Sequence, residues 1–292
     1  MNLLYFTVGD AVHHHYQCHF SILSFLSQGN IDRIYVYTDC PDFYKTLGTK
    51  VTLIEINRKM LQEWRGAYDF FWRIKIKLLE DVCRKYAPPS IIYLDTDTFL
   101  YRPSQTLSGG LSAGNAYMHE NEGRLCDMKH TPRLMWKQIN NKTFGGVRMR
   151  EDLNMWNAGV VALPHEKQQD VLRLAVEICD DMCKANVTRR LIEQYALSVA
   201  LQSVYALLPA NGIIGHYWAN KDGWNKVIVD FLLQAHMKGR LQEEMIEALA
   251  HFNFEGYPIA VPVSNTQRRL TRLLCRLFPD RKAQWLTCGQ VF

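Results

Sequence analysis

The sequence predicts an α/β fold, a mostly parallel sheet flanked by helices, and three observations support this. Short apolar runs rich in β-branched and aromatic residues alternate with stretches of helical periodicity through the first hundred residues. One such run, Ile91-Ile92-Tyr93-Leu94, leads into paired carboxylates, the kind of strand end that borders the ligand crevice of an open α/β sheet. The chain has 292 residues, 48% hydrophobic and 22% charged, enough to bury the core of one large domain.

Taken in order, residues 2–8 read as a buried strand closed by Gly9-Asp10. His15 to Leu26 carries Phe20, Leu23 and Leu26 at helical spacing. Residues 32–37 and 51–56 read as strands. Phe71, Ile74, Leu78, Leu79, Val82 and Tyr86 form a helical stripe that Pro88-Pro89 ends, and residues 91–94 form the next strand. Residues 104–150 are rich in Ser, Gly, Asn and charge without a steady period. That is long for a connection, so the segment reads as a functional flap or as poorly ordered chain. A strand over 155–163, helices near 165–184 and 190–203, a loop over 211–223, and helices over 224–236 and 239–251 follow. Residues 1–264 are therefore expected to form the main domain. Residues 265–292 are expected to form a helical C-terminal appendage.

Charge is unevenly placed. The formal net charge is +5, and residues 265–292 hold six basic residues against one acidic, which accounts for all of it. A near-neutral body argues against nucleic acid as a partner. In the tail, Leu270, Leu273, Leu274, Leu277 and Phe278 fall on one helical stripe, with Arg268, Arg269, Arg272 and Arg276 on the opposite arc. Such a basic amphipathic helix suits an anionic membrane surface. No apolar run reaches the roughly 20 residues that span a bilayer, and the N-terminus lacks the basic start of a signal peptide. The expected location is cytoplasmic, peripheral on the inner face of a membrane. The eight cysteines include no Cys-x-x-Cys pair and read as free thiols.

The chemistry concentrates in four places. Asp95 and Asp97 follow the apolar strand at i and i+2; in extended chain they point the same way, repel each other and favour a divalent cation such as Mn²⁺ or Mg²⁺. His216 could complete that metal shell, and Lys221 could reach a phosphate. Asn157, in Trp156-Asn157-Ala158-Gly159, could bond sugar hydroxyls. Glu193-Gln194 sets a carboxylate beside an amide at a helix start.

In this order, the pieces resemble the GT-A fold glycosyltransferases, and most closely glycosyltransferase family 8, which includes bacterial lipopolysaccharide sugar transferases and glycogenin. The resemblance spans roughly residues 2–224, through Phe71-Trp72-Arg73, Tyr93-Leu94-Asp95-Thr96-Asp97, Trp156-Asn157-Ala158-Gly159-Val160, Glu193-Gln194 and His216 to Trp224. It implies a metal-dependent hexosyltransferase with a Rossmann-like sheet, moving sugar from a UDP-linked donor to a glycan or glycolipid hydroxyl with retained configuration, in lipopolysaccharide or polysaccharide synthesis. It implies Asp95, Asp97 and His216 as metal ligands, Arg73 and Lys221 facing the donor's phosphates or sugar, and Asn157, Glu193 and Gln194 lining the sugar pocket. It places Thr7 and Asp10 by the nucleoside, and it gives Glu193 or Gln194 the stabilisation of the reacting centre. The sequence departs from the family pattern at Glu193, where Asp is usual, and at Ala219 and Gly223, where Gly and Pro are usual.

Residues 119–150 hold seven basic residues against three acidic, so this segment is expected to form an acceptor-side flap. Arg133, Lys137 and the ring of Trp136 are its candidates for contact with an anionic glycan. Competing readings are a haloacid-dehalogenase-type phosphatase, with Asp180-Asp181 as its late acidic pair, and a non-catalytic binding protein on a transferase fold. His13-His14-His15 with Cys18 and His19 raise a separate zinc possibility, since His15 and His19 are four apart on a helix face.

Overall fold

The computed structural model describes residues 1–28, 30–262 and 265–278, except the side chains of Asn265 and Arg268. The alternating pattern gives β1 (Asn2–Thr7), α1 (Val12–Ser27), β2 (Arg33–Thr38), β3 (Thr52–Glu55), α2 (Arg58–Arg65), α3 (Arg73–Tyr86) and β4 (Ser90–Leu94). Then come β5 (Thr98–Leu100), α4 (Gln105–Ser112), β6 (Ala116–Met118), β7 (Asn121–Arg124), α5 (Thr131–Ile139), β8 (Thr143–Phe144), β9 (Val147–Arg148), β10 (Asn154–Trp156) and β11 (Val160–Pro164). The rest comprises α6 (Gln168–Lys184), α7 (Ile192–Val204), β12 (Leu207–Pro209), β13 (Ile214–His216), α8 (Lys221–Met237), α9 (Gln242–Ala250) and α10 (Asn265–Leu277).

Seven strands make the central sheet in the order β12-β6-β11-β4-β1-β2-β3. All run parallel except β11, which is antiparallel to both β4 and β6. The strand period of two sends alternate residues to opposite cores. Leu4, Ile91, Tyr93, Val161 and Leu163 pack with α3, α6 and α7. Leu3, Tyr5, Ile92, Leu94 and Ala162 pack with α1, α4 and α8. Covering both faces in this way matches the near-continuous apolar strands β1 and β4.

Three expectations change. Residues 104–150 are neither loose nor irregular: β6 is a strand of the main sheet, and Met135, Trp136 and Ile139 of α5 lie in the same core as α6 and α7. A nine-residue helix and strands of two to four residues are too short to show a period. The strand read over 155–163 is two strands, β10 and β11, parted at Asn157–Gly159, and β10 pairs with β7 in a separate small sheet. The loop over 211–223 contains β13, which pairs antiparallel with β5 and sets His216 opposite Thr98.

The chain divides into two compact units, Met1–Ile259 and Ala260–Phe292. In the second, α10 is helical as its spacing implied, and Leu270, Leu273, Leu274, Leu277 and Phe278 are exposed. The tail beyond residue 278 and the side chain of Arg268 lie outside the described residues. No described helix is long and apolar enough to cross a membrane.

An aromatic cluster supports the β5–β13 pair. Phe99 is fully buried, with its ring centroid 4.5 Å from Trp224, 4.8 Å from Phe254 and 6.0 Å from Tyr217. Phe99→Ala should therefore cost about 3–5 kcal/mol. A lowered urea midpoint at unchanged m-value is the expected result; loss of less than 1 kcal/mol, roughly a surface effect, would mean the cluster contributes little.

Candidate active site

Strand β4 ends at Leu94 in the middle of the sheet, and the chain turns at once through Asp95-Thr96-Asp97 into β5. The two carboxylates converge through this turn and not through extended chain. The turn is pinned from several sides. The Asp95 amide donates to the Gly159 carbonyl at 2.8 Å, the Thr98 hydroxyl to the Asp95 carbonyl at 2.8 Å, and the Tyr217 amide to the Asp97 carbonyl at 3.0 Å.

Asp95, Asp97 and His216 each present one ligand atom, all within 4.8 Å of one another. His216 was read as a loop residue; it lies at the end of β13, only 5% exposed. Its Nδ1 stands 3.1 Å from Asn157 Oδ1, which also accepts from the Gly159 amide at 3.0 Å. An amide oxygen only accepts, so Nδ1 carries a proton and Nε2 faces the carboxylates. Nε2 is 3.5 Å from Asp97 Oδ1. A proton on Nε2 or a cation between the two must relieve that contact, and a divalent ion would take the proton's place. Burial raises the Asp97 carboxyl, but the His216 contact and the Lys221 ammonium outweigh it and hold it well below the usual carboxylate range. Asp97 Oδ2 makes no hydrogen bond, although Lys221 Nζ is 2.9 Å away. Two carboxylates and an imidazole with a shared open side fit Mn²⁺ or Mg²⁺.

Beneath the carboxylates lies a residue that the sequence reading missed. Lys75 of α3 is buried, with Nζ 3.3 Å from both Asp95 Oδ1 and Glu193 Oε1 and 3.0 Å from the Ala158 carbonyl. Burial opposes its charge, yet Asp95 and Glu193 outweigh burial and raise its pKa above the ordinary lysine value. Burial also pushes Glu193 upward, against the pull of Lys75. The signal was present: Lys75 interrupts the apolar stripe of Ile74, Leu78, Leu79 and Val82. Arg73, proposed for the donor, points elsewhere; Nε and Nη2 grip Asp180 at 2.7 and 2.9 Å. Buried His119, pushed down to about 4 by burial and by His216, packs edge-on against the His216 ring at 5.1 Å.

Two cavities meet at the triad. One, of about 240 Å³, is lined by Phe6, Thr7, Phe71, Trp72 and His14; the other, of about 550 Å³, by Glu122, Asn157, Gln194, Lys129, Arg190 and Trp218. Lys75, Asp95, Asp97 and Lys221 border both. Glu122 accepts from Asn157 Nδ2 at 3.1 Å and Gln194 Nε2 at 3.0 Å. Thr7 lines the first cavity, but its hydroxyl is engaged by Thr38 and Tyr44. Asp10 is exposed and lines neither cavity.

Of the acceptor candidates, Trp136 is buried in the core, Arg133 donates to the Cys126 carbonyl, and exposed Lys137 borders neither cavity. The stretch that reaches the second cavity is residues 129–132, at the N-terminal start of α5. His15 bonds Gly9 O and Tyr44, and His19 bonds Phe43 O, so these side chains are held as structural groups. The described cysteines are free.

No protein-family model matches the chain, and no curated protein matches it. Among solved structures, mouse xyloside xylosyltransferase 1 in its apo form is similar at 12% identity and a TM-score of 0.47, over 72% of this chain and 85% of that chain. A likeness that small carries no argument about activity. The fold and site by themselves define an α/β protein with a candidate divalent-metal centre at the sheet's ligand-binding edge.

A Cβ on Gly159 would fall on the His216 ring. Gly159→Ala should therefore displace the imidazole and weaken Mn²⁺ binding by about tenfold or more, read by calorimetry. Unaltered affinity would remove His216 from the ligand set.

Proposed function

We propose that the chain is a metal-dependent glycosyltransferase of the GT-A type, similar to glycosyltransferase family 8, that takes a hexose from a UDP-linked donor. The observation that carries this reading is the Asp95-Asp97-His216 cluster standing between two cavities of different chemistry. The smaller cavity offers aromatic surface from Phe6, Phe71 and half-exposed Trp72, suited to a nucleoside. The larger offers Glu122, Asn157 and Gln194 to sugar hydroxyls. A diphosphate bridging the two would pass the triad and Lys221.

Bound Mn²⁺ would stabilise charge on the departing diphosphate. Lys221, 46% exposed on the side chain, can swing from Asp97 to a phosphate oxygen and add its charge there. Transfer joins the acceptor hydroxyl oxygen to the anomeric carbon, breaks that carbon's bond to the diphosphate, and delivers the hydroxyl proton to the diphosphate. Gln194 faces the reacting sugar in this reading. Glu193 acts from behind, by holding Lys75 and through it Asp95. This arrangement suits retention, since Glu193 is not free to deprotonate an acceptor. An inverting transferase would need a carboxylate base on the acceptor, and the other candidate, Asp152, is exposed, paired with Arg150, and borders neither cavity.

The phosphatase alternative loses its late acidic pair, because Asp180 holds Arg73 and Asp181 accepts from the Gly145 amide. The non-catalytic alternative leaves the assembled ligand set without a purpose.

The acceptor would be a glycan or a membrane-borne glycolipid in lipopolysaccharide or polysaccharide synthesis, with the chain at the inner face of the membrane. Arg269, Arg272 and Arg276 accompany exposed Leu270, Leu273 and Leu277 on α10. Apolar burial and charge attraction would then add at an anionic surface.

Asp97→Asn should abolish transfer and Mn²⁺-dependent UDP binding while the thermal midpoint stays within a few degrees, because the lost charge serves the ion. Turnover at the wild-type rate in saturating Mn²⁺ would refute the metal assignment. Proton NMR of the product from a donor screen reads the sugar and its configuration. Removing residues 265–292 should release the protein from anionic liposomes at low salt and spare transfer to a soluble acceptor. Liposome binding that survives the truncation would place the membrane contact elsewhere.

A further inference from the structure

The larger cavity carries a charge pattern that transfer of a neutral sugar to a neutral sugar does not require. Its lining includes Lys129, His130 and Arg190. Among the described residues, neither Lys129 nor Arg190 has an ion-pair or hydrogen-bond partner. Of the other basic groups in the same stretch, Arg124 is engaged with Asp127, Arg150 with Asp152, Arg148 with Asn141 and Arg133 with the Cys126 carbonyl, while Lys137 and Lys142 do not line the cavity. The two wall cations come from separate parts of the chain, one just before α5 and one just before α7.

The acidic members of the cavity do not answer them. Asp95 is matched by Lys75, and Asp97 by Lys221. Glu122 is turned to the amides of Asn157 and Gln194. An ion at the triad would satisfy those carboxylates further, so Lys129 and Arg190 line the cavity without an acidic partner in it.

Two more features line the same cavity. Trp218 is 58% exposed and lines the cavity, an open indole face of the kind that covers a sugar ring. His130 sits at φ 57° and ψ −127°, a region that is costly for any residue but glycine, and it borders the cavity directly.

We propose that this cavity receives an acceptor whose sugar bears a carboxylate or a phosphate, gripped by Lys129 and Arg190 while Trp218 covers one face of the ring. The inference rests on the glycosyltransferase reading and adds the acceptor's chemical class to it. The shared chemistry is an anionic oxygen group on a hexose ring. Arginine engages either form through two parallel hydrogen bonds, and the lysine adds a point charge.

The test uses the full chain saturated with Mn²⁺ and UDP, which occupy the metal and donor side. Methyl β-glucuronide, glucose 6-phosphate, methyl β-glucoside and inorganic phosphate are then titrated separately by calorimetry or saturation-transfer NMR. The glucuronide or the sugar phosphate should bind about tenfold or more tightly than the neutral glucoside, and which of the two wins tells a uronic acid from a phosphosugar. Arg190→Gln and Lys129→Gln should each reduce that preference about five- to tenfold, with the loss confined to the anionic sugars. Both are exposed side chains, so folding is not at stake. Equal affinity for the neutral glucoside, variants without effect, or inorganic phosphate competing as well as the sugar phosphate would each overturn the proposal. So would failure of every sugar to bind a protein that does bind Mn²⁺–UDP. A wild-type chain that binds no UDP with Mn²⁺ would instead remove the nucleotide-sugar reading beneath it.

Discussion

A lysine buried between Asp95 and Glu193, with the Ala158 carbonyl as its third partner, holds the site together. The candidate metal centre sets the Asp95 and Asp97 carboxylates close together, at the end of a strand packed on both faces. Without a cation below them the carboxylates would repel each other and Glu193 would be an unmatched buried charge. Breaking a buried pair by removing one partner costs about 3–5 kcal/mol. Lys75 matches two of the three carboxylates from the protein side and leaves the open side to an external cation. It also ties α3, the end of β4, the turn before β11 and the start of α7 to one atom. Four pieces of chain are thus positioned by a charge requirement and not by apolar packing alone.

The single antiparallel strand contributes the geometry. In a parallel sheet every strand delivers its following loop to one edge. Because β11 runs backwards, it delivers its preceding turn, Asn157–Gly159, to that same edge beside β4. From there Gly159 accepts the Asp95 amide, and its missing side chain leaves room for the His216 ring. The pairing of β5 with β13 brings His216 in from the other side. An ordinary parallel crossover at this position would have carried the turn to the far edge, away from the carboxylates.

The sequence made the apolar strands β1, β2 and β4 and the helices α1, α3, α6, α7 and α8 legible, because each is long enough to show its period. The short strands β6, β12 and β13 were not, since three residues carry no periodicity and their identity comes from neighbours remote in the chain. Asp95, Asp97 and His216 stood out by residue type and by what precedes them. Lys75 did not: two residues after Arg73, it lies about 200° further around the helix, and the more conspicuous charge turned out to face Asp180. Trp136 shows the converse error. A tryptophan in a basic, loop-like stretch reads as a ligand platform until α5 is seen to press it into the core. Trp218 and Arg190 reach the cavity through tertiary placement, which composition could not reveal.

Asn157 speaks to both ends of the site through one amide group. Its oxygen faces the His216 ring, and its nitrogen faces Glu122, which also receives Gln194. The Gly159 amide and Glu122 already fix which way the amide points, and with it the ring tautomer that leaves Nε2 of His216 open towards the carboxylates.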